Sequence, residues 1–337
     1  MEKEPYLSIV IAVRNDNYGG DFNQRLYTAL SWNTGLLEKY QVNTEIILVN
    51  WNPIIESPAL LSQFTVPENR QHVRYRVIEV PHEFHLKYCD EKVRKRLPMY
   101  EFIAKNVGIE RAHGQFVLCT NADILLSEQV VKQIAKKKLL LNVLYRCVRV
   151  DVKGGVEDYQ KESEIRKRST KFFLRTGAIS TDLKIPFGLK KFWCYSKDFI
   201  LRILYTIWIT LTVRSNYEKE RIFIFKHPLN ASGDFALIGK SSFQLKALYP
   251  ENTYIATHTD SLHVLKCLEK KLKIQELNGF VFHQEHTRRF DFEEVNEDMD
   301  NMFYLLLKAI YKLRSNKPLQ LDVENKLAGK PLIEYFL

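Results

Sequence analysis

A chain of 337 residues with 45% hydrophobic and 27% charged residues can bury a sizeable core and has the composition of a folded globular protein, not of a disordered one. Its 50 lysines and arginines against 40 acids leave a formal net charge of +10. That surplus favours an anionic partner (nucleic acid, a membrane surface or a phosphorylated small molecule), with an inert basic surface as the plain alternative. Cys89, Cys119, Cys147, Cys194 and Cys267 are scattered, odd in number and lack C-x-x-C spacing, which argues against a zinc site and against a secreted disulfide framework.

The N-terminal stretch MEKEPYLSIVIAV carries no cleavable signal, so the mature chain is expected to start near Met1 on the cytoplasmic side. Leu7 to Val13 reads as a first strand buried on both faces. A polar loop with Gly19-Gly20 follows, then a helix over FNQRLYTALSWNTGLLEKY. TEIILVNWNP and YRVIEVP read as the second and third strands. LPMYEFIAKNVGIERAH reads as a helix closed by Gly114 as a C-terminal cap, and QFVLCTN as a fourth strand. Strand–helix alternation implies a parallel sheet with helices on its faces. Ligands bind such sheets beyond the carboxyl ends of the strands. Those ends, Arg14-Asn15-Asp16, Asn50-Trp51-Asn52, Glu79 and Asn121-Ala122-Asp123, are all polar and should converge on one edge.

From Asp151 to about Lys226 the pattern changes. A charge-rich stretch precedes an almost wholly apolar run, Phe199 to Val213, broken by Arg202. The run falls short of the roughly 20 residues of a spanning helix. Lys190, Lys191, Lys197 and Arg214 flank it, and aromatic residues crowd it, a combination that suits an element lying in a membrane interface. A core element or a self-association face fits the same pattern. The last third contains a helix beginning near Thr259 or Asp260, a final strand GFVFHQEH with His283 and His286, and an amphipathic helix FEEVNEDMDNMFYLLLKAIYKLR. The tail from Ser315 has no assignable pattern. There is no repeat, P-loop or G-x-G-x-x-G. Basic residues are dispersed, not gathered around aromatic stacking positions, so nucleic acid ranks low as a partner.

Asp123, just past a buried strand, is placed to hold a hard divalent ion that bridges a diphosphate. A loop or capping aspartate is the common alternative. Four stretches then add context: LSIVIAVRNDN, TEIILVNWNP, YEFIAKNVGIERAHGQFVLCTNAD and NASGDFALIGKSSFQLKALYPE with HTDSLHVL. In this order, over a little under half of the chain, they resemble the glycosyltransferase A fold, and in particular its large inverting group of nucleotide-sugar transferases. The resemblance looks closest to a glycosyltransferase-like branch with RNDN-GGD, NWNP, AKNVGI, NAD and NASGDF blocks.

The resemblance implies an α/β fold with a mostly parallel sheet between helices, a basic and apolar insertion, and a C-terminal helix. It divides the chain into a nucleotide-sugar half (1–150), an insertion with a membrane-interfacial option through 199–213 (151–227), an acceptor and catalytic half (228–310) and a tail (311–337). It implies a nucleotide-diphosphate sugar donor, a glycan or glycoconjugate acceptor, and Mn2+ or Mg2+. Asp123 matches the last acid of the family's D-x-D metal motif, with neutral Asn121 in place of the first. Arg14, Asn15 and Asp16 would surround the nucleoside, with Asn50, Asn52 and the strand-end Glu79 near it. Lys105 and Asn106 match a basic–Asn pair near the nucleotide, and Lys105 is expected to meet the diphosphate. Asp260 matches the catalytic base, with Thr259 where a Glu is usual. Its alternative is helix capping. Asp234 would hold an acceptor hydroxyl; its alternative is a turn aspartate. His283 is the expected metal histidine. His286 would point to the opposite face of a regular strand, so at most one of the two is expected to ligate; His258 competes. Asn121 and Thr259 also motivate a catalytically inactive binding or scaffold protein as the other reading.

Overall fold

The structure is a computed structural model that describes residues 4–56, 60, 67–68, 70–88, 97–153, 161–181, 184–251, 258–286, 292–321, 327 and 330–337. The described strands are β1 (Leu7–Val13), β2 (Thr44–Trp51), β3 (Val73–Val80), β4 (Phe116–Thr120), β5 (Ile124–Leu126), β6 (Val143–Val152), β7 (Ser169–Leu174), β8 (Gly177–Ser180), β9 (Ala236–Gly239), β10 (Lys273–Gln284) and β11 (Ile333–Phe336). The helices are α1 (Phe22–Lys39), α2 (His82–Tyr88), α3 (Glu101–Arg111), α4 (Glu128–Ala135), α5 (Glu162–Lys167), α6 (Phe187–Thr212), α7 (Arg221–Lys226), α8 (Lys240–Lys246), α9 (Thr259–Glu269) and α10 (Phe292–Arg314).

β1 and β2 are buried along their whole length, as continuous apolar runs must be when both faces are covered. They sit inside a parallel set β3-β2-β1-β4, with Ile9 level with Ile46 on one side and Leu118 on the other. The period of two divides β1 between layers. Leu7, Ile9, Ile11 and Val13 pack with Leu26, Leu30 and Leu37 of α1. Val10 and Ala12 face the opposite way, onto Ile103, Ala104 and Val107 of α3. The expected α/β architecture, parallel at the sheet's centre with helices on both faces, is therefore present. Around that centre, β9 joins antiparallel to β4 and β6, β6 runs parallel to β10, and β5 and β11 close the edges antiparallel to β10 and β3. β7 and β8 branch from the second half of β6.

The edge strand β5 is capped by side chains of α1. Asn33 donates to the Ile124 carbonyl at 2.9 Å and accepts from the Leu126 amide at 2.8 Å, while Trp32 Nε1 donates to the Leu126 carbonyl at 2.8 Å. These contacts satisfy backbone groups that an open edge would expose. They also fix the residue immediately before β5, which is Asp123.

Several expectations change. Helix α3 ends on extended Ala112, and Gly114 is not left-handed. Gly114 instead lets two backbones meet, since a Cβ there would lie 2.5 Å from the Ser8 nitrogen. The final strand starts earlier than GFVFHQEH: β10 runs from Lys273 and shifts register between Glu276 and Phe280, where Gly279 takes φ 120. The tail supplies β11, held by Arg76, which bridges Glu45 at 2.8 Å and Glu334 at 2.7 Å. The apolar run 199–213 is not a core element. It belongs to α6, most of whose large apolar side chains are exposed. Among the described residues no helix is long and apolar enough to cross a membrane.

Candidate functional site

The β1 and β2 ends form one cross-linked rim. Asn15 clasps the Ile54 backbone, accepting from its amide at 2.7 Å and donating to its carbonyl at 3.0 Å. Arg14 donates to the Asn52 carbonyl at 2.8 Å and to Asp16 Oδ2 at 2.7 Å. Asn52, at φ 51, donates to the Pro98 carbonyl at 2.9 Å and lies 2.7 Å from His82 Nδ1. Asn50 donates to Glu79 at 3.3 Å, and its Oδ1 is buried without a hydrogen-bond partner. The loop continues to Tyr18, whose ring meets that of His286 edge-on at 5.2 Å. Arg25 of α1 holds the loop through the carbonyls of Tyr18 and Gly20.

Under that loop lie Asp123, His283 and His286, whose ligand-type atoms all fall within 4.8 Å of one another. Asp123 Oδ2 is 3.1 Å from His286 Nε2 and 3.6 Å from His283 Nε2. Oδ1 of the same carboxylate is buried with no hydrogen-bond partner. The expectation that only one histidine could reach fails for a simple reason. β10 ends at Gln284, so His286 lies beyond the pleat and the alternation rule no longer governs its direction. Gln284 fixes this corner by donating to the Arg25 and Asp123 carbonyls at 2.9 and 3.3 Å. Burial works against ionisation of Asp123, but His283, His286 and Arg149 outweigh it and hold the carboxyl well below the usual carboxylate range.

Behind the three residues runs a buried polar chain. His283 Nδ1 lies 3.2 Å from Asp151 Oδ1 and 3.0 Å from Arg149 Nη2. Arg149 can only donate, so its contact makes Nδ1 an acceptor and turns Nε2–H toward Asp123; a proton on Nδ1, given to Asp151, instead frees the Nε2 lone pair, the arrangement typical of a metal-bound histidine. Arg149 donates to Asp151 at 2.7 Å and to Asp234 Oδ2 at 3.1 Å. Burial opposes the charge of Arg149, but Asp234 and Asp151 overcome it and raise its pKa. Asp234 Oδ1 accepts from Asn121 Nδ2 at 2.9 Å, and Asn121 Oδ1 accepts from Lys105 at 2.7 Å. The Lys105 side chain is 0% exposed, and its ammonium also donates to Glu101 at 2.6 Å and the Gly233 carbonyl at 3.1 Å. The Gly233 amide in turn donates to Asp260 Oδ2 at 2.8 Å, while Asp260 Oδ1 accepts from the Ser261 amide at 2.8 Å. Asp260 stands in the first turn of α9.

The structure thus brings Asp123, His283, Asn121, Asp234, Lys105 and Asp260 into one network. Asn106 turns to another partner: its amide both donates to and accepts from the Tyr249 backbone at 2.9 Å, which ties α3 to the segment after α8. Arg149 and Asp151 are the residues that the sequence reading missed, and His286 is the one that it ranked behind His283. The missed pair had a signal, since Arg149 and Asp151 alternate in β6 and so share a face. Arg146, wholly buried, points to the Ala231 carbonyl at 2.9 Å and also reaches that of Phe235. Burial lowers its pKa, against the pull of Asp260, Tyr249 and Asp234.

No protein-family model matches the chain, and no curated protein does. Among solved structures, the chain is similar to S. aureus TarS 1–349, with a TM-score of 0.41 and 12% identity over 96% of this chain and 72% of that one. No activity or site residue is carried over from so loose a likeness.

Proposed function

We propose that this chain is a metal-dependent glycosyltransferase of the A fold, moving a sugar from a nucleotide-diphosphate donor to an acceptor hydroxyl with inversion. One observation carries the reading: Asp123, with a buried unpartnered oxygen, faces two histidines at the carboxyl edge of a parallel sheet, under the first loop. A buried carboxylate facing two imidazoles calls for a cation or a proton between them. Asp123, His283 and His286 would hold the ion. Two imidazoles and one carboxylate favour Mn2+ over Mg2+, which prefers oxygen ligands. The ion would offset charge on the leaving diphosphate.

The chain's own residues do the rest. Arg14, Asn15, Asp16, Asn50, Asn52 and Glu79 form the nucleoside rim. Asn121 stands in the place of a metal-binding acid, but its oxygen is taken by Lys105; the histidines supply the ligands that it does not. Lys105 therefore positions Asn121 and Gly233 and does not itself touch the diphosphate. Asp260, oriented by two backbone amides, retains lone pairs to take the acceptor's hydroxyl proton. The new bond forms at the anomeric carbon as the donor's glycosidic oxygen departs with the nucleoside diphosphate. Asp234, shared between Asn121 and Arg149, orients the acceptor side. Residues 1–150 then serve the donor, and 228–310 serve the acceptor while completing the donor's metal site through His283 and His286, with 151–227 inserted between them.

The test is binding of UDP and GDP with and without Mn2+, followed by thermal shift and calorimetry. Mn2+ at about 100 times its Kd stabilises the native state by ~2.7 kcal/mol, which for a chain this long raises the melting midpoint by about 4 °C. Asp123→Ala abolishes that shift and the Mn2+-dependent binding; unchanged binding sinks the metal assignment. The locked amide of Asn121 favours one competing reading, an inactive descendant that binds without turnover. Slow hydrolysis of a donor that disappears in Asp260→Asn decides for the enzyme.

A further inference from the structure

Helix α6 is built inside out. Its inward stripe at spacings of four contains Lys190, Cys194 and Asp198, followed by Ile209. Lys190 donates to the Ser169 carbonyl at 2.8 Å. Asp198 accepts from the Thr176 amide and hydroxyl at 2.8 and 2.9 Å. The apolar residues point the other way: Phe192 is 73% exposed, Trp193 52%, Phe199 57%, Leu204 56%, Trp208 56% and Leu211 78%. A soluble surface helix has the opposite polarity, and so large an exposed apolar patch marks an interaction surface.

We propose that α6 lies in the plane of an anionic lipid bilayer, with its apolar side in the acyl boundary. Charge selects this occupant. Asp198 is the one acid between Phe187 and Thr212, and it is buried and paired with Arg202 at 3.0 Å. The remaining charges on the helix, buried Lys190 and the more exposed Lys191, Lys197 and Arg202, are all positive, and the whole chain carries +10. Basic residues beside exposed tryptophans are the pattern of an interfacial helix. A second copy of the chain fits poorly, because a two-fold interface sets the same cations against each other. At 1.5 Å per residue the 26 residues extend about 39 Å along the surface. α6 packs on β7 and β8, and β7 pairs with β6 at Lys171 opposite Asp151, which ties the helix to the strand that carries Arg149 and Asp151. This inference does not depend on the proposed activity.

The test uses the full chain and vesicles of phosphatidylcholine alone or with 30% phosphatidylserine. Sedimentation shows binding to the mixed vesicles and little to phosphatidylcholine alone. The double variant Phe192→Glu/Leu211→Glu, at exposed positions, keeps its circular dichroism and melting midpoint and binds at least tenfold more weakly. Lys191→Gln and Lys197→Gln each weaken binding by about fivefold, the effect of about 1 kcal/mol per charge near the surface. In the unaltered chain, brominated lipid quenches the tryptophan emission, a readout that needs no variant. Equal binding by the double variant, absence of quenching, or a dimer that the same substitutions dissolve while vesicle binding persists each overturns the proposal.

Discussion

Replacing Lys105 by Met removes a buried charge while nearly keeping the side chain's length. The wild-type ammonium reaches Glu101, Asn121 and the Gly233 carbonyl at 2.6, 2.7 and 3.1 Å. Glu101 is 27% exposed and returns to water, so loss of that ion pair costs little. The Gly233 carbonyl stays buried and Asn121 Oδ1 partly so, and an orphaned buried acceptor costs ~1–3 kcal/mol. The variant no longer buries an ammonium, which offsets part of the loss. The net is ~2–3 kcal/mol. An unfolding entropy of ~2.1 cal/mol/K per residue gives about 0.7 kcal/mol/K for this chain, so the melting midpoint falls by about 3–4 °C. Urea denaturation followed by tryptophan fluorescence at pH 7 measures the change. If Lys105 served mainly as a phosphate contact, the variant would keep its stability and lose only nucleotide affinity. A change below ~0.5 kcal/mol, the size of an ordinary surface substitution, refutes the structural role.

Gly114→Ala forces a methyl to within 2.5 Å of the Ser8 nitrogen and should cost ~1–3 kcal/mol or more in urea denaturation, as overpacking does. Asn33→Ala leaves the Ile124 carbonyl and the Leu126 amide without their partner; hydrogen exchange at Leu126 should accelerate by at least ~10-fold, since each orphan costs ~1–3 kcal/mol. For Glu45, burial raises the pKa, but hydrogen bonds from Ser8, the His113 amide and Arg76 overcome it and leave it lowered. A depressed carboxylate contributes stability that is present above the unfolded value of about 4.3 and is lost as pH falls through the folded one. Glu45→Gln should therefore be less stable than wild type at pH 7, by ~2–4 kcal/mol, and should show a flatter loss of stability below about pH 4.3; parallel acid curves would refute the assignment.

Some of the site was legible because it depends on local pattern. The apolar runs of β1, β2 and β4 are continuous because both their faces are covered, so their ends could be found by reading where polarity begins. Asp123 was found that way. His286 was ranked behind His283, because its direction depends on where β10 stops pairing. Asp151 was taken for the start of a new segment although β6 runs through it. The tail strand β11 has no pattern of its own and is held by Arg76 and β3, more than 250 residues away in sequence.

The sequence by itself determined the alternation of strand and helix, the parallel centre of the sheet, and the set of polar strand ends. These follow from periodicity and burial, which act between near neighbours. Only the tertiary structure decided which polar groups satisfy each other. It locked Asn121 between Lys105 and Asp234, turned both histidines onto Asp123, and put the apolar side of α6 outward. Hydrogen bonds and ion pairs in a buried network join residues more than a hundred positions apart, as Lys105 and Gly233 are. Residue order along the chain does not encode such pairings locally, because each partner is supplied by a different element of the fold.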